Sequence, residues 1–170
     1  AIWLIILATI AFNGLVLVIS ASTPGKEIAV LGYIPYVFKS ETMRPAIYKN
    51  DLVFFTKLDE YTPNEGDIVL YQYENEIYVQ KVIEVQGDKC VVDLLYYPQN
   101  TKPGSMERTI ENKIVYGLYA SKSRWLGALI VFANTTVGRF LLLLLPAVLV
   151  FFYKQIMSFI RKISSTTEVI

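Results

Sequence analysis

The sequence predicts a mainly β fold, in which one compact antiparallel domain is flanked by two transmembrane helices. Two observations lead to this prediction. The 170-residue chain is 54% hydrophobic, with a mean hydropathy of +0.41, and long apolar stretches lie near both of its ends. Between these stretches, short runs rich in Val, Ile and Tyr alternate with turn residues, which is typical of antiparallel strands. The predicted parts are residues 1–21, a membrane anchor; 22–138, the β-rich domain; 139–160, a second transmembrane helix; and 161–170, a tail.

The first apolar stretch runs from Ile2 to Ser20 and is interrupted only by Asn13 and small residues. As a helix it would be roughly 28 Å long, which is close to the thickness of the hydrocarbon core of a bilayer. A cleaved leader peptide is the alternative, because Ala21 and Ser22 are small residues near a possible cleavage position. We expect an uncleaved anchor.

The second apolar stretch, Phe140–Tyr153, is short for a membrane span, and neighbouring apolar residues on either side would lengthen it. Pro146 is compatible with a membrane helix, whereas a buried core helix is the alternative. Basic residues accumulate on the cytoplasmic side of membrane proteins. The C-terminus is therefore expected in the cytoplasm, together with the N-terminus, and residues 22–138 on the outside. The basic residues after the stretch are Lys154, Arg161 and Lys162.

The region between the apolar stretches is expected to form a sheet. Glu74-Asn75-Glu76 and Gly87-Asp88 are predicted to close hairpins, because Gly, Asn and Asp adopt the backbone angles that tight turns require. The runs with the composition of strands are 28–36, 51–56, 67–73, 77–85, 90–97 and 113–120.

Composition also excludes several classes of function. The chain has 16 basic and 15 acidic residues, and a net charge of +1 gives no electrostatic basis for binding nucleic acid. It has no histidine and a single cysteine, Cys90, which excludes an intramolecular disulfide and a cysteine-based metal cluster. We therefore expect neither a metal nor a cofactor.

Four motifs occur in an order that is similar to that of a known family. They are Ser40-Glu41-Thr42-Met43-Arg44-Pro45, Asp51-Leu52-Val53, Gly66-Asp67-Ile68-Val69 and Tyr78-Val79-Gln80-Lys81-Val82-Ile83. The chain resembles the type I signal peptidases, membrane-bound enzymes that remove leader peptides from exported proteins. Its second apolar stretch is similar to the C-terminal span of the eukaryotic and archaeal branch. The resemblance covers most of residues 1–155 and implies a small β-barrel-like assembly of antiparallel sheets.

The resemblance also implies where the site lies. Thr42 occupies the position of the nucleophilic serine, Ser40 that of an oxyanion-stabilising hydroxyl, and Gln80 that of the histidine or lysine base. Acyl transfer requires a hydroxyl, a base and donors to the oxyanion. Thr42 keeps the hydroxyl, but the amide of Gln80 cannot accept a proton near neutral pH. Lys81 is an alternative base, although alternation along a strand should direct it away from Thr42.

Two functions follow from this pattern. In the first, the protein is catalytically impaired, keeps a groove for extended peptides and serves as a chaperone or assembly factor for exported proteins. Its partners would be the lipid bilayer, an exported pre-protein or its signal peptide, and surface-fibre subunits or a sortase. In the second, it is an active signal peptidase in which Thr42 is served by Lys81, Lys39 or Lys57. A membrane structural protein with a coincidental resemblance is a third possibility.

A further segment, Arg124-Trp125-Leu126-Gly127, is similar to the interfacial anchors of membrane proteins, in which an aromatic ring lies at the level of the headgroups. Residues 126–133 would then dip into the membrane surface. A helix packed on the β domain is the alternative.

Overall fold

A computed structural model describes residues 2–22 and 26–167. It confirms the mainly antiparallel β architecture, with a seven-stranded sheet in the order β1-β2-β7-β3-β4-β5-β6. Every pair of neighbouring strands is antiparallel. The strands are β1 Tyr33–Val37, β2 Leu52–Lys57, β3 Ile68–Tyr73, β4 Glu76–Gln86, β5 Lys89–Asp93, β6 Arg108–Glu111 and β7 Val115–Ser123. The sheet lies in one compact unit, formed by the described residues of 17–131, whereas residues 2–16 and 132–167 form another unit.

Four α-helices lie outside the sheet: α1 Ile2–Ala21, α2 Arg124–Ala133, α3 Thr136–Phe151 and α4 Tyr153–Thr167. Helix α1 is long and apolar enough to cross a membrane over Trp3–Ala21. A single helix was expected at 139–160. The structure has instead the 16-residue helix α3, which ends at Phe151, followed by α4. A second span is reached only if α2 and α3 count as one broken segment. It stays a prediction, and residues 168–170 of the predicted tail lie outside the described residues.

The two predicted hairpin turns occur where expected. Glu74 and Asn75 have φ angles of 49° and 64° and connect β3 to β4. Positive φ at both central residues is the signature of a type I′ turn, which matches the twist of the flanking strands. Gly87, with φ of 64°, opens the turn between β4 and β5.

Two strand predictions need correction, and one strand was missed. The run 28–36 is a strand only from Tyr33, because Leu31 and Gly32 form a tight turn with positive φ angles. The run 90–97 leaves the sheet after Asp93, because the next residues bond to another loop. Strand β6 was not predicted, since only Ile110 among its four residues is apolar and one apolar residue forms no recognisable pattern.

Apolar side chains pack in two buried clusters. Alternation along β3 assigns Leu70 to one cluster and its neighbours Val69 and Tyr71 to the other. Met43 and Ile47 are fully buried in the first cluster and attach the motif loop of residues 40–45 to the sheet. The first cluster comprises Ile34, Phe38, Met43, Ile47, Val53, Phe55, Leu70 and Val79. The second comprises Tyr61, Val69, Tyr71, Val82, Cys90, Val92, Ile110 and Val115.

Candidate functional site

The motif residues meet at a cavity of about 240 Å³, here called the motif cavity. Ser40 and Thr42 line one wall, in the segment that continues from β1. Gln80 lines another, at the middle of β4. The structure thus brings together the three positions that the sequence assigns to oxyanion hydroxyl, nucleophile and base. The other lining residues are Tyr36, Phe38, Lys39, Ile77, Tyr78, Val79, Leu94 and Met106.

The two hydroxyls are held by local hydrogen bonds. Ser40 Oγ donates to Thr42 Oγ1 at 3.0 Å, and the backbone N–H of Thr42 donates back to Ser40 Oγ at 3.3 Å. The carbonyl of Thr42 accepts the N–H groups of Leu95 and Tyr96 at 3.0 and 2.8 Å. Glu41 is absent from the residues with positive φ. This loop therefore needs no glycine at that position.

Gln80 is buried, and both ends of its amide are engaged. The hydroxyl of Tyr71 donates to Gln80 Oε1, and Gln80 Nε2 donates to the carbonyl of Met106 at 3.1 Å. Burial raises the pKa of Tyr71 to about 12, so its phenol remains a donor at neutral pH. Tyr71 also stacks on Tyr78, with ring centroids 5.6 Å apart. These contacts give Gln80 a structural role, and they leave the base position without a proton acceptor.

The candidate lysine bases are placed differently. Lys81 pairs with Ile68 and Asp93 in the sheet, and strand alternation turns it to the face opposite Gln80. Neither Lys81 nor Lys57 is among the described residues that line the motif cavity. Lys39 does line it, and it alone carries a charge among the described lining residues. Of the three candidate lysines, Lys39 is therefore the one that borders the same cavity as Thr42.

Part of β4 borders the cavity with an unpaired edge, which the sequence analysis did not identify. Strand β4 pairs with β3 from Glu76 to Lys81, but with β5 only from Lys81 onward. Val82 bonds through its backbone to the β3 side, and the direction of backbone groups alternates along a strand. The N–H and C=O groups of Ile77 and Val79 consequently point away from β3. In residues 2–22 and 26–167, no strand pairs with this edge.

A wider cleft of about 490 Å³ adjoins the motif cavity. The two share the lining residues Tyr36, Lys39 and Ile77, and together they are here called the groove. Burial raises the pKa of Tyr36, and the nearby Glu27 carboxylate raises it further. The cleft adds Ile19, Ser22, Glu27, Pro35, Val37, Asn75 and Glu76.

Gln80→Leu is expected to lower the free energy of unfolding by about 2 kcal/mol, because the Tyr71 hydroxyl and the Met106 carbonyl lose their partner. Adding Tyr71→Phe removes one of the orphaned groups, so the double variant should lose less than the sum of the single variants. Thermal unfolding in detergent of the four proteins measures this coupling. Additive losses would contradict the buried hydrogen-bond network.

A comparison with protein-family models and with curated proteins finds no match for this chain. The resemblance to type I signal peptidases therefore depends on the ordered motifs of the sequence.

Proposed function

We propose that the protein is a membrane-anchored, catalytically impaired relative of type I signal peptidases. It binds an extended segment of exported proteins and serves as a chaperone or assembly factor for them, surface-fibre subunits included. The observation that carries the proposal is the unpaired edge at Ile77 and Val79, beside the cavity that holds Ser40 and Thr42.

Strand addition explains how such a segment would bind. Ile77 and Val79 each offer one N–H and one C=O, and an extended peptide beside β4 satisfies all four groups. Main-chain pairing is independent of the peptide's sequence, so selectivity comes from the side chains that enter the groove. The motif cavity has apolar walls at Phe38, Leu94 and Met106, which favour a peptide with an apolar side chain at that point.

The same site argues for binding rather than cleavage. The amide of Gln80 is not basic, and its two ends are occupied by Tyr71 and Met106. A hydroxyl without a base to take its proton is a poor nucleophile. Loss of the base in acyl-transfer enzymes lowers the rate by several powers of ten.

Membrane placement is part of the proposal. Helix α1 is the first span, and the apolar segment 139–160, which contains most of α3, is the second. Two spans return the chain to the side on which it began. Both termini are then cytoplasmic, and the sheet lies outside, where exported proteins emerge.

An active signal peptidase is the second candidate, favoured by one observation. Lys39 lines the motif cavity together with Thr42, so a lysine and a hydroxyl residue border the same cavity. In this case Thr42 attacks the scissile bond and Lys39 takes its proton. Cleavage assays separate this candidate from the first.

Binding is tested with Ile77→Pro, which removes an N–H that faces the groove and leaves the ladder to β3 intact. The full-length protein in detergent is titrated with a fluorescent peptide that spans a leader and its cleavage region. We expect about three- to tenfold weaker binding, as for the loss of one hydrogen bond.

Thr109→Pro is the matched control. Thr109 is exposed on β6, the last strand in the order of the sheet. The N–H of Asn112, three residues further on, donates to Asp88 on the β5 side. Because backbone direction alternates along a strand, the N–H of Thr109 faces away from β5. This variant should bind the peptide as the native protein does. Equal affinities for native protein and folded Ile77→Pro would overturn strand addition at β4.

A further inference from the structure

Three cations surround the ring of Tyr48. The charged groups of Arg44, Lys122 and Arg124 lie 5.3, 5.3 and 5.1 Å from the ring centroid. Cation–π attraction alone is weak at exposed sites, and three like charges around one ring repel each other. The arrangement therefore favours an additional anion. We refer to these four residues as the Tyr48 cluster.

Carboxylates neutralise only part of this charge. Glu41 pairs with Arg44 at 2.5 Å, and Asp51 lies 3.7 Å from Lys122. In the described ranges, no carboxylate is within ion-pair distance of Arg124. The guanidinium of Arg124 is exposed, and its planar fork of donors suits a phosphate group.

Helix α2 begins at the cluster and exposes apolar side chains. The hydroxyl of Ser123 accepts the N–H of Leu126 at the first turn. Trp125 is 72% exposed and Val131 39%, with Ala128 exposed between them, whereas Gly127 and Ile130 are buried. Spacings of three residues place Trp125, Ala128 and Val131 on one side of the helix. An apolar face thus starts directly beside an arginine that has no carboxylate partner in the part of the chain that the structure describes.

We propose that the Tyr48 cluster binds the phosphate headgroup of an anionic phospholipid, while Trp125, Ala128 and Val131 lie in the interfacial layer of the membrane. Tryptophan favours the interface because its ring is apolar and its N–H is polar. Anionic lipids attract basic residues at the surface. Only Asn134 and Thr135 separate α2 from the apolar helix α3, so a span that includes α3 brings α2 to the membrane surface.

This inference uses the membrane placement proposed above, but it does not depend on peptide binding. A protein partner would also cover an apolar helix face. A lipid surface accounts for both the Tyr48 cluster and the apolar face of α2, because it supplies a phosphate group beside an interfacial layer. The chain also continues from α2 into its apolar C-terminal segment.

The test uses the two tryptophans of the chain, Trp3 and Trp125, as separate depth probes. Full-length Trp3→Phe protein, in which only Trp125 emits, is placed in nanodiscs of zwitterionic lipid with increasing amounts of phosphatidylglycerol. We expect the emission of Trp125 to shift to the blue as the anionic fraction rises. Quenching should be stronger from labels near the headgroups than from labels at the bilayer centre. Inorganic phosphate added to purely zwitterionic discs should not reproduce the shift.

Arg44→Gln with Arg124→Gln should weaken the attraction to phosphatidylglycerol by about fivefold for each removed charge, so most of the blue shift should be lost over the same range of anionic fractions. Lys89→Gln with Lys113→Gln is the control. It removes the same charge, and Lys113 is paired with Glu111 as Arg44 is with Glu41. The control should respond like the parent protein.

The inference is overturned if Trp125 stays water-exposed in all discs, or if both double variants respond alike. It is equally overturned if phosphate alone produces the shift. Trp125→Phe protein, in which only Trp3 emits, reports whether α1 is in the membrane. Trp3 begins the span, so a spanning α1 places it near the headgroups. Quenching of Trp3 by headgroup labels together with a water-exposed Trp125 rejects the headgroup site and leaves the membrane anchor standing. Weak peptide binding would affect neither measurement.

Discussion

Purified full-length protein is expected to leave a pre-protein uncut, and Thr42→Ser combined with Gln80→His is expected to start cleavage. General-base catalysis contributes about 10² to 10⁴ in rate, so the double variant should exceed the native protein by at least about a hundredfold. The reason is local: Ser40, Thr42 and Gln80 line one cavity, and the amide of Gln80 is not a base.

The buried surroundings of Gln80 are compatible with its replacement by histidine. Gln80 donates to the Met106 carbonyl and accepts from Tyr71. A neutral imidazole also offers one donor and one acceptor. It can therefore retain the bond to Met106, while its other nitrogen gives up the bond from Tyr71 and takes the proton of the hydroxyl that Thr42→Ser keeps in place. Cleavage should then increase as the pH rises through about 6.5, where histidine loses its proton.

Three comparisons make the cleavage result decisive. Thr42→Ala should be as inactive as the native chain, and Gln80→His alone should be less active than the double variant. Native cleavage that is lost in Thr42→Ala would instead establish the active peptidase. Lys39→Gln would then show whether the lysine in the motif cavity is its base.

The sequence was sufficient for the parts of the fold that depend on local chemistry. Turn residues such as Glu74-Asn75 and Gly87-Asp88 require particular backbone angles, so their hairpins were predictable. Long-range contacts were not. The strand expected at 90–97 ends at Asp93 because Leu95 and Tyr96 donate to the distant Thr42 carbonyl, and no local pattern encodes that contact.

The candidate site shows the same division. Motif spacing sufficed to name Ser40, Thr42 and Gln80, which line one cavity. The unpaired edge at Ile77 and Val79 depends on where β5 stops, so it became visible only with the strand register. Apolar residues on an open edge have the same sequence pattern as those within a sheet.

Gly127 marks a contact that the sequence suggested only in part. Helix α2 was predicted either to dip into the membrane surface or to pack on the β domain. A Cβ atom on Gly127 would lie 1.9 Å from the carbonyl oxygen of Asn50 and 2.6 Å from the nitrogen of Leu52. The helix backbone therefore packs directly on the start of β2, and its opposite side carries the exposed Trp125.

Gly127→Ala is expected to lower the free energy of unfolding by about 3 kcal/mol or more, because the added methyl group meets backbone atoms that no side-chain rotation can move. To relieve the overlap, α2 must separate from β2, which also shifts Arg124 away from Tyr48. Thermal unfolding in detergent measures the loss. Gly14→Ala is the matched control: a Cβ there has nothing within 4 Å, and alanine favours a helix more than glycine does. If both variants unfold at the same temperature, α2 is not packed on the sheet as described, and Trp125 has no fixed support from which to face a membrane.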